Sequence, residues 1–411
     1  MTTTPTDFAA RAALLDAEDP LRDYPHRFVG SDDPSIVAYL DGNSLGRPTR
    51  KTAERVAAFV TDAWGGRLIR GWDEQWFDLP LTLGDRLGAL LLGAAAGQTT
   101  IGDSTSVLLY KLARGALALR PGRTEIVLDR DNFPTDRYLM EAIAAESGLT
   151  LRWLDPEFTG GVTVDELAAA VSERTALVVL SHVAYRSGFL LDAPAIAAVT
   201  HDEGALLLLD VCHSVGATEI ELDSWDIDFA AGCTYKYLNG GPGSPAFAYV
   251  NARHLPSFEQ PIWGWMGREN PFEMAQGFVP APGIRRVLSA SPGILGMIPV
   301  QDTLDLIEEV GMPAIRAKSL LLTEFALELV ERWLVPRGVT VSSPLDPARR
   351  GGHITIDHPA FQDVTARLWH RGVMPDFRRP HGIRIGMSPL TTSFREVLAG
   401  LTAIRDELGA H

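Results

Sequence analysis

Cysteine is almost absent from this chain. Cys212 and Cys233 are the only two among 411 residues, too few for a disulfide framework and, by themselves, for a zinc site. No apolar run approaches the ~18–20 residues of a membrane span. Positive charge is in deficit, with 37 basic against 52 acidic side chains and a net charge of −15. That balance argues against a nucleic-acid partner, which needs a basic face. The opening stretch MTTTPTDFAARAALLDAEDP has neither the basic n-region nor the apolar core of a secretory signal, so a cytoplasmic location is expected. Lysine is the scarcest charged residue and occurs only at Lys51, Lys111, Lys236 and Lys318. A reaction that needs a lysine nucleophile has four residues to choose from.

What the chain does have is globular material: 46% hydrophobic and 22% charged residues, enough for a large core and two or three domains. Residues 50–95 carry apolar positions three and four apart, as in helices. Short apolar runs then alternate with helical stretches. TEIVLD (124–129) precedes a helix over 136–147, and LTLRWL (149–154) precedes DELAAAVS (165–172). TALVVLSHV (175–183) precedes a helix over 193–203, and GALLLLDVCHSVG (204–216) begins with another strand. Strands this poor in polar residues predict an α/β fold with a parallel sheet covered on both faces. Ligands of such sheets bind beyond the carboxyl ends of the strands. After about residue 295 a long helix to about 334 leads into VTVSS, GGHITID, a helix near 361–371 and GIRIGMSPL. This α+β pattern predicts a large domain over 50–290 and a smaller one built from 1–49 and 291–411.

Four segments carry polar residues where that architecture places chemistry. In Cys233-Thr234-Tyr235-Lys236-Tyr237-Leu238-Asn239-Gly240-Gly241-Pro242-Gly243 a lysine sits between two tyrosines before a glycine-rich turn. Apolar flanks of this kind make a lysine a usable nucleophile, although a lysine capping a strand beside a turn reads much the same. The glycines are not a phosphate P-loop, because no G-K-[ST] follows. In Leu209-Asp210-Val211-Cys212-His213 a strand-end carboxylate with a histidine three residues on can hold a heterocyclic cation, or simply cap a turn. Gly102-Asp103-Ser104-Thr105-Ser106 opens a helix and offers hydroxyls and free N–H groups to an anion; an ordinary N-cap uses the same residues. Asp131-Asn132-Phe133-Pro134-Thr135-Asp136 places an aromatic ring at a strand end. An anion site, a stacking face, a carboxylate and an amine together are what pyridoxal 5′-phosphate requires.

Over nearly its whole length the chain resembles the kynureninase family, pyridoxal-phosphate enzymes of the aspartate-aminotransferase fold (type I). The resemblance rests on YLDGNSLGRP (39–48), WGGRLIRGW (64–72), DSTSV (103–107), FPTD (133–136), HVAYRSG (182–188), DVCHSVGA (210–217), CTYKYLNGGPG (233–243), PFEM (271–274) and DFRRPHGIRIG (376–386). It implies that Lys236 carries the cofactor, that Asp210 pairs with the pyridinium nitrogen beside His213, and that Phe133 stacks on the ring. Thr105, Ser106, Pro134, Thr135, Asp136, Tyr235 and Ser291 are implied as further cofactor contacts, with Tyr235 also in the catalytic group. Arg384 is similar to the arginine that grips the substrate α-carboxylate, a task suited to a bidentate, permanently charged group. Trp72 and Arg268 are implied at the substrate. No metal is implied.

The activity implied is hydrolysis of the Cβ–Cγ bond of L-kynurenine or 3-hydroxykynurenine to an anthranilate and L-alanine, within tryptophan catabolism and NAD biosynthesis. Several flanking positions depart from the family pattern. Gly264-Trp265-Met266-Gly267-Arg268 stands where GW-aromatic-GH is usual. Leu108 falls in the family's VNL, Ala184 in its HVNYR and Thr391 in its PLY. Such changes leave room for a modified kynurenine, or for a β-substituted amino acid cleaved at a C–S bond. A homodimer with shared active sites is also implied. The aromatic stretch Trp263–Pro282 supports it, because a monomer has difficulty burying Trp263, Trp265, Phe272 and Phe278 from a loop of irregular sequence.

Overall fold

The computed structural model describes residues 7–409. Among them twelve strands form two sheets: β1 (Ala38–Leu40), β2 (Thr99–Ile101), β3 (Glu125–Asp129), β4 (Thr150–Leu154), β5 (Thr175–Ser181), β6 (Leu206–Asp210), β7 (Phe229–Gly232), β8 (Phe247–Val250), β9 (Thr340–Val341), β10 (His353–Asp357), β11 (Val373–Arg378) and β12 (Gly382–Gly386). The large sheet has the order β2-β8-β7-β6-β5-β3-β4 and the small one β1-β11-β12-β10-β9. Strands β4, β3, β5, β6 and β7 run parallel, and β8 pairs antiparallel with both β7 and β2. The mostly parallel α/β reading of the sequence therefore holds.

The strands of the large sheet are apolar throughout because both of their faces are covered. Val127, Val178, Leu207, Leu209 and Ala230 pack into one core, and Ile126, Leu128, Leu177, Val179, Leu206 and Leu208 into another. Successive side chains of a strand point to opposite sides of the sheet, so a two-faced burial demands an unbroken apolar run. The small sheet has its own core. Ile354, Ile356, Ile383 and Ile385 meet Leu322, Phe325 and Leu329 of one helix and Val397, Leu401 and Ile404 of another. Phe8 and Ala12 join this third core, whereas Leu21, Phe28 and most buried apolar side chains of Ile294–Val310 join the large-sheet core that holds Val127 and Val178.

Three helical expectations need correction. The helix expected over 295–334 is two helices, Ile294–Val310 and Met312–Leu329. Gly311 between them has φ +80° and Pro313 follows, a pairing that ends one helix and starts the next. The helical stretch 50–95 is likewise interrupted near Leu68, at φ +53°. The helix expected over 165–172 stops at Ala168.

Parallel pairing puts the carboxyl ends of β3, β5, β6 and β7 at one edge. Two antiparallel steps bring the end of β2 to the same edge. Asp210 ends β6 at this edge, and the loops leaving the other strands hold Phe133, Lys236 and the start of the Thr105–Ala118 helix. No helix among the described residues is long and apolar enough to cross a membrane.

Candidate active site

The four lysines separate by their partners. Lys51 Nζ lies 2.7 Å from Asp305, Lys111 Nζ 2.6 Å from Asp103 and Lys318 Nζ 2.7 Å from Asp19. Lys236, buried, has no carboxylate within ion-pair distance among the described residues. Its Nζ lies 3.2 and 3.4 Å from the two ring nitrogens of His213, and 5.9 Å from the ring centres of both Phe133 and Tyr235. Phe133 is held edge-on by Tyr185, ring centres 5.5 Å apart.

Behind the lysine stands a pair of carboxyls. Asp210 closes β6, and its Oδ1 accepts the backbone N–H of Cys212 at 2.7 Å. Asp136 lies in the first turn of the helix Pro134–Ser147, which Pro134 opens and Gly148, at φ +67°, closes. Burial, then the facing Asp210 and Asp129, hold the Asp136 carboxyl well above the usual carboxylate range, and its buried Oδ2 has no hydrogen-bond partner. A protonated heterocyclic nitrogen would satisfy this unpaired oxygen and relieve the repulsion between the carboxyls.

The surrounding groups fit the rest of such a cofactor. Thr105 and Ser106 form the first turn of a 14-residue helix capped by Ser104, an amide-rich terminus suited to a phosphate. His213 is buried, and its pKa is driven well down by burial and then by Lys236 and Arg384. It therefore faces the site as a neutral ring. Burial raises the Tyr235 hydroxyl far above its usual range, with Cys233 and Cys212 beside it. Both cysteines are free and buried.

Arg384 comes from the small sheet. In the β11–β12 register it faces Asp376, which accepts from its Nε at 2.7 Å and also pairs with Nη2. Nη1 donates to the Tyr185 carbonyl at 2.7 Å and lies 3.4 Å from His213, while Nη2 donates to Ser44 at 2.9 Å. The arginine thus spans the gap between the sheets, aimed by a carboxylate on one side. An anion entering on the side of Ser44 and His213 would take over the contacts that Nη2 and Nη1 make to those two residues.

Three sequence-expected residues stand apart from Lys236 in this chain. Trp72 packs against Trp76 and Trp265, ring centres 5.8 and 6.2 Å away. Arg268 is bound by its own loop, to the Asn270 carbonyl at 2.6 Å and Glu273 at 3.0 Å. Ser291 is exposed. Of the departures from the family pattern, Leu108 and Met266 are fully buried, and Thr391 lies in a cavity of about 610 Å³ against Lys318 and Arg47.

Sequence reasoning missed Asp376, Ser44 and the buried His353. Asp376 was legible in part, because an aspartate and an arginine eight residues apart across a hairpin turn can face each other. Ser44 and His353 carried no local signal.

Comparison with known proteins places both the fold and the family. The chain superposes on the cysteine desulfurase CsdA of Escherichia coli with a TM-score of 0.80 at 16% identity, covering 95% of this chain and 98% of that one. It superposes on a C-DES variant, solved with glycine linked to its PLP cofactor, at 0.82 and 18%, covering 93% and 98%. The fold is that of the type I pyridoxal-phosphate enzymes. The model of the DegT/DnrJ/EryC1/StrS aminotransferase family matches residues 100–221, and that of the kynureninase C-terminal domain residues 315–404. Kynureninases of Burkholderia pseudomallei and Deinococcus radiodurans are each 40% identical to the chain, over 97% of its length and 94% and 97% of theirs. The chain belongs to the kynureninase family and is a pyridoxal 5′-phosphate-dependent hydrolase.

Proposed function

We propose that the chain hydrolyses L-kynurenine or its 3-hydroxy form to the corresponding anthranilate and L-alanine, with Lys236 at the centre of the site. The observation that carries this reading is the placement of the Lys236 amine. Alone among the lysines it lacks a carboxylate partner, and it faces an aromatic ring with two buried carboxyls behind it. Bound there, pyridoxal phosphate supplies an electron sink for the carbanion formed at the substrate Cα.

The chain's own groups do the rest. Arg384, aimed by Asp376, binds the substrate α-carboxylate by exchanging its contacts to Ser44 and His213 for the carboxylate oxygens. Lys236 Nζ takes the Cα proton and returns it. Asp210 and Asp136 are the carboxyls that would hold the protonated ring nitrogen of the cofactor. Phe133 would cover one face of the ring with His213 beside it as a neutral imidazole, and the N-terminal turn at Thr105 and Ser106, with Thr135 and Pro134, would hold the phosphate. The Tyr235 hydroxyl stays protonated and is a donor near the lysine.

We assign residues 50–290 to a large cofactor-binding unit and 1–49 with 291–411 to a small one, the helix Ile294–Val310 bridging them by packing on the large-sheet core. A homodimer completes the site. Trp64, Leu68 and Ile69 on one segment, and Trp263, Phe272 and Met274 on another, are more than half exposed in the single chain, an apolar surface of the kind that interfaces cover. Trp72, Arg268 and Ser291 would then serve the substrate pocket from across that interface. The place we assign the enzyme is tryptophan catabolism in the cytoplasm.

Borohydride reduction of the cofactor-loaded enzyme tests the lysine assignment. The cofactor is expected on the single peptide containing Lys236. Recovery on a peptide carrying Lys51, Lys111 or Lys318 would overturn it.

A further inference from the structure

Strand β5 runs out into a turn whose side chains the mechanism does not use. Over residues 183–190 the chain folds back on itself. Val183 bridges Leu190, the Ala184 N–H donates to the Phe189 carbonyl at 2.9 Å, and the Gly188 N–H donates to the Ala184 carbonyl at 2.9 Å. Gly188 takes φ +72°, a conformation that costs a glycine little. The small sheet and its loops sit on this turn through four successive carbonyls. Tyr185 O accepts from Arg384 Nη1 at 2.7 Å, Arg186 O from Thr355 Oγ1, Ser187 O from Ser343 Oγ, and Gly188 O from the Gly351 N–H at 2.7 Å. The Arg186 side chain adds two ties, Nη1 to the Arg379 carbonyl at 2.8 Å and Nη2 to Asp357 at 2.9 Å. A backbone pinned at every residue holds its side chains in fixed places.

Tyr185 is the residue of this turn that faces both halves of the site. Its carbonyl meets the guanidinium of Arg384. Its ring meets Phe133, with planes at 85° and centres 5.5 Å apart, an edge-to-face arrangement that two aromatic rings prefer. Among the described residues Tyr185 is the one aromatic partner that Phe133 has. Both rings are only half-buried, and neither belongs to one of the three cores. Core packing therefore does not fix the plane of Phe133, and the contact with Tyr185 does. The other side of that plane is turned to the chemistry, with the Lys236 amine 5.9 Å from the ring centre.

We propose that Tyr185 is a positioning residue: its ring fixes the plane of Phe133 against the cofactor while its carbonyl holds Arg384, so that the stacking face and the carboxylate site keep one spacing. The role rests on the reading of Lys236 as the cofactor lysine and Phe133 as the stacking face. It needs no contact between Tyr185 and substrate. The ring and the carbonyl can be separated, because a substitution at this position removes the first and keeps the second.

Tyr185→Leu removes the ring, and Tyr185→Phe keeps it. Each full-length variant, stripped of cofactor, is titrated with pyridoxal 5′-phosphate, and the visible circular dichroism of the loaded protein is recorded without substrate. Tyr185→Leu is expected to weaken cofactor binding by about three- to tenfold, the worth of one aromatic pair, and to change the ellipticity of the bound cofactor. Tyr185→Phe should match the unaltered protein in both. Because the effect runs through Phe133, adding Tyr185→Leu to Phe133→Leu should weaken binding by less than about twofold further. If the leucine variant does not fold, Tyr185→Met carries the same expectation. Unchanged affinity and ellipticity in the leucine variant, equal impairment of the leucine and phenylalanine variants, or full additivity with Phe133→Leu would overturn the proposal. Turnover of L-kynurenine is followed alongside. An unaltered enzyme inert toward it, with the changes in affinity and ellipticity still present, would defeat the substrate reading and leave the role of Tyr185 standing.

Discussion

Lys236 owes its chemistry to what it lacks. The other three lysines are each neutralised by an aspartate, and so are committed to holding the fold together. Lys236→Ala should abolish both turnover and the absorbance of lysine-bound cofactor, while far-UV circular dichroism stays unchanged. Retained absorbance would remove Lys236 from the role. Asp210→Ala should cut kcat by orders of magnitude, because an unprotonated pyridine is a poor electron sink. A loss below about tenfold would show that Asp136 alone suffices. A third residue, Asp41 of the YLDGNSLG segment, gives a pH dependence of stability. Burial, and then Asp376, push its carboxyl up to about 6. A raised acid pKa means that the folded state binds the proton more tightly. The contribution is therefore full below the unfolded value near 4 and is lost as pH rises through 6. Relative to the unaltered protein, Asp41→Asn should gain up to about 3 kcal/mol between pH 4 and 7. Urea unfolding at four pH values checks this, and a gap that stays constant with pH contradicts it.

The elements show how much a sequence can disclose. The apolar runs of β3, β5 and β6 were legible because burial on both faces leaves no room for polar residues. The strand-end positions of Asp210 and Lys236 followed from them. Helix breaks were less legible: Gly311 and Pro313 signal a stop, but an apolar pattern running through both sides hides it. Hardest to read was the meeting of distant strands. Nothing near Asp136 in sequence announces Asp210, and nothing near His213 announces His353 or Arg384, since those contacts arise only when β3 packs against β5 and the small sheet closes over the large. One strand-start residue, Asp228, anchors the large sheet at the end away from Lys236. It is buried and accepts from Leu207 N and His201 Nε2, both at 2.8 Å, and also binds His254 and Arg253. These partners hold its pKa far below the usual range against the opposing effect of burial. A lowered pKa stabilises above the unfolded value and is lost as pH falls through the folded one. Asp228→Asn should therefore cost about 3–5 kcal/mol at neutral pH, less as pH drops below about 4, with kcat at the opposite edge of the sheet unchanged. A cost below about 1 kcal/mol at neutral pH would contradict the anchoring role.

At the scale of the molecule, two sheets bring their polar edges together over one cleft, the large one offering an amine and two carboxyls and the small one a guanidinium. Trp263 and Phe272 are exposed in the single chain, a surface that a second copy would cover. Light scattering at micromolar concentration should give twice the chain mass. A fully active monomer would contradict both the dimer and the service of Arg268 across it. The central claim is that this cleft performs hydrolytic Cβ–Cγ cleavage, and product analysis tests it most directly. Cofactor-loaded enzyme is incubated with L-kynurenine and, separately, 3-hydroxy-L-kynurenine, and the products are quantified by mass spectrometry. The account predicts the matching anthranilate and L-alanine in equal amounts from at least one of them, and none from Lys236→Ala. Pyruvate in place of alanine, or no aromatic acid from either substrate, would contradict it.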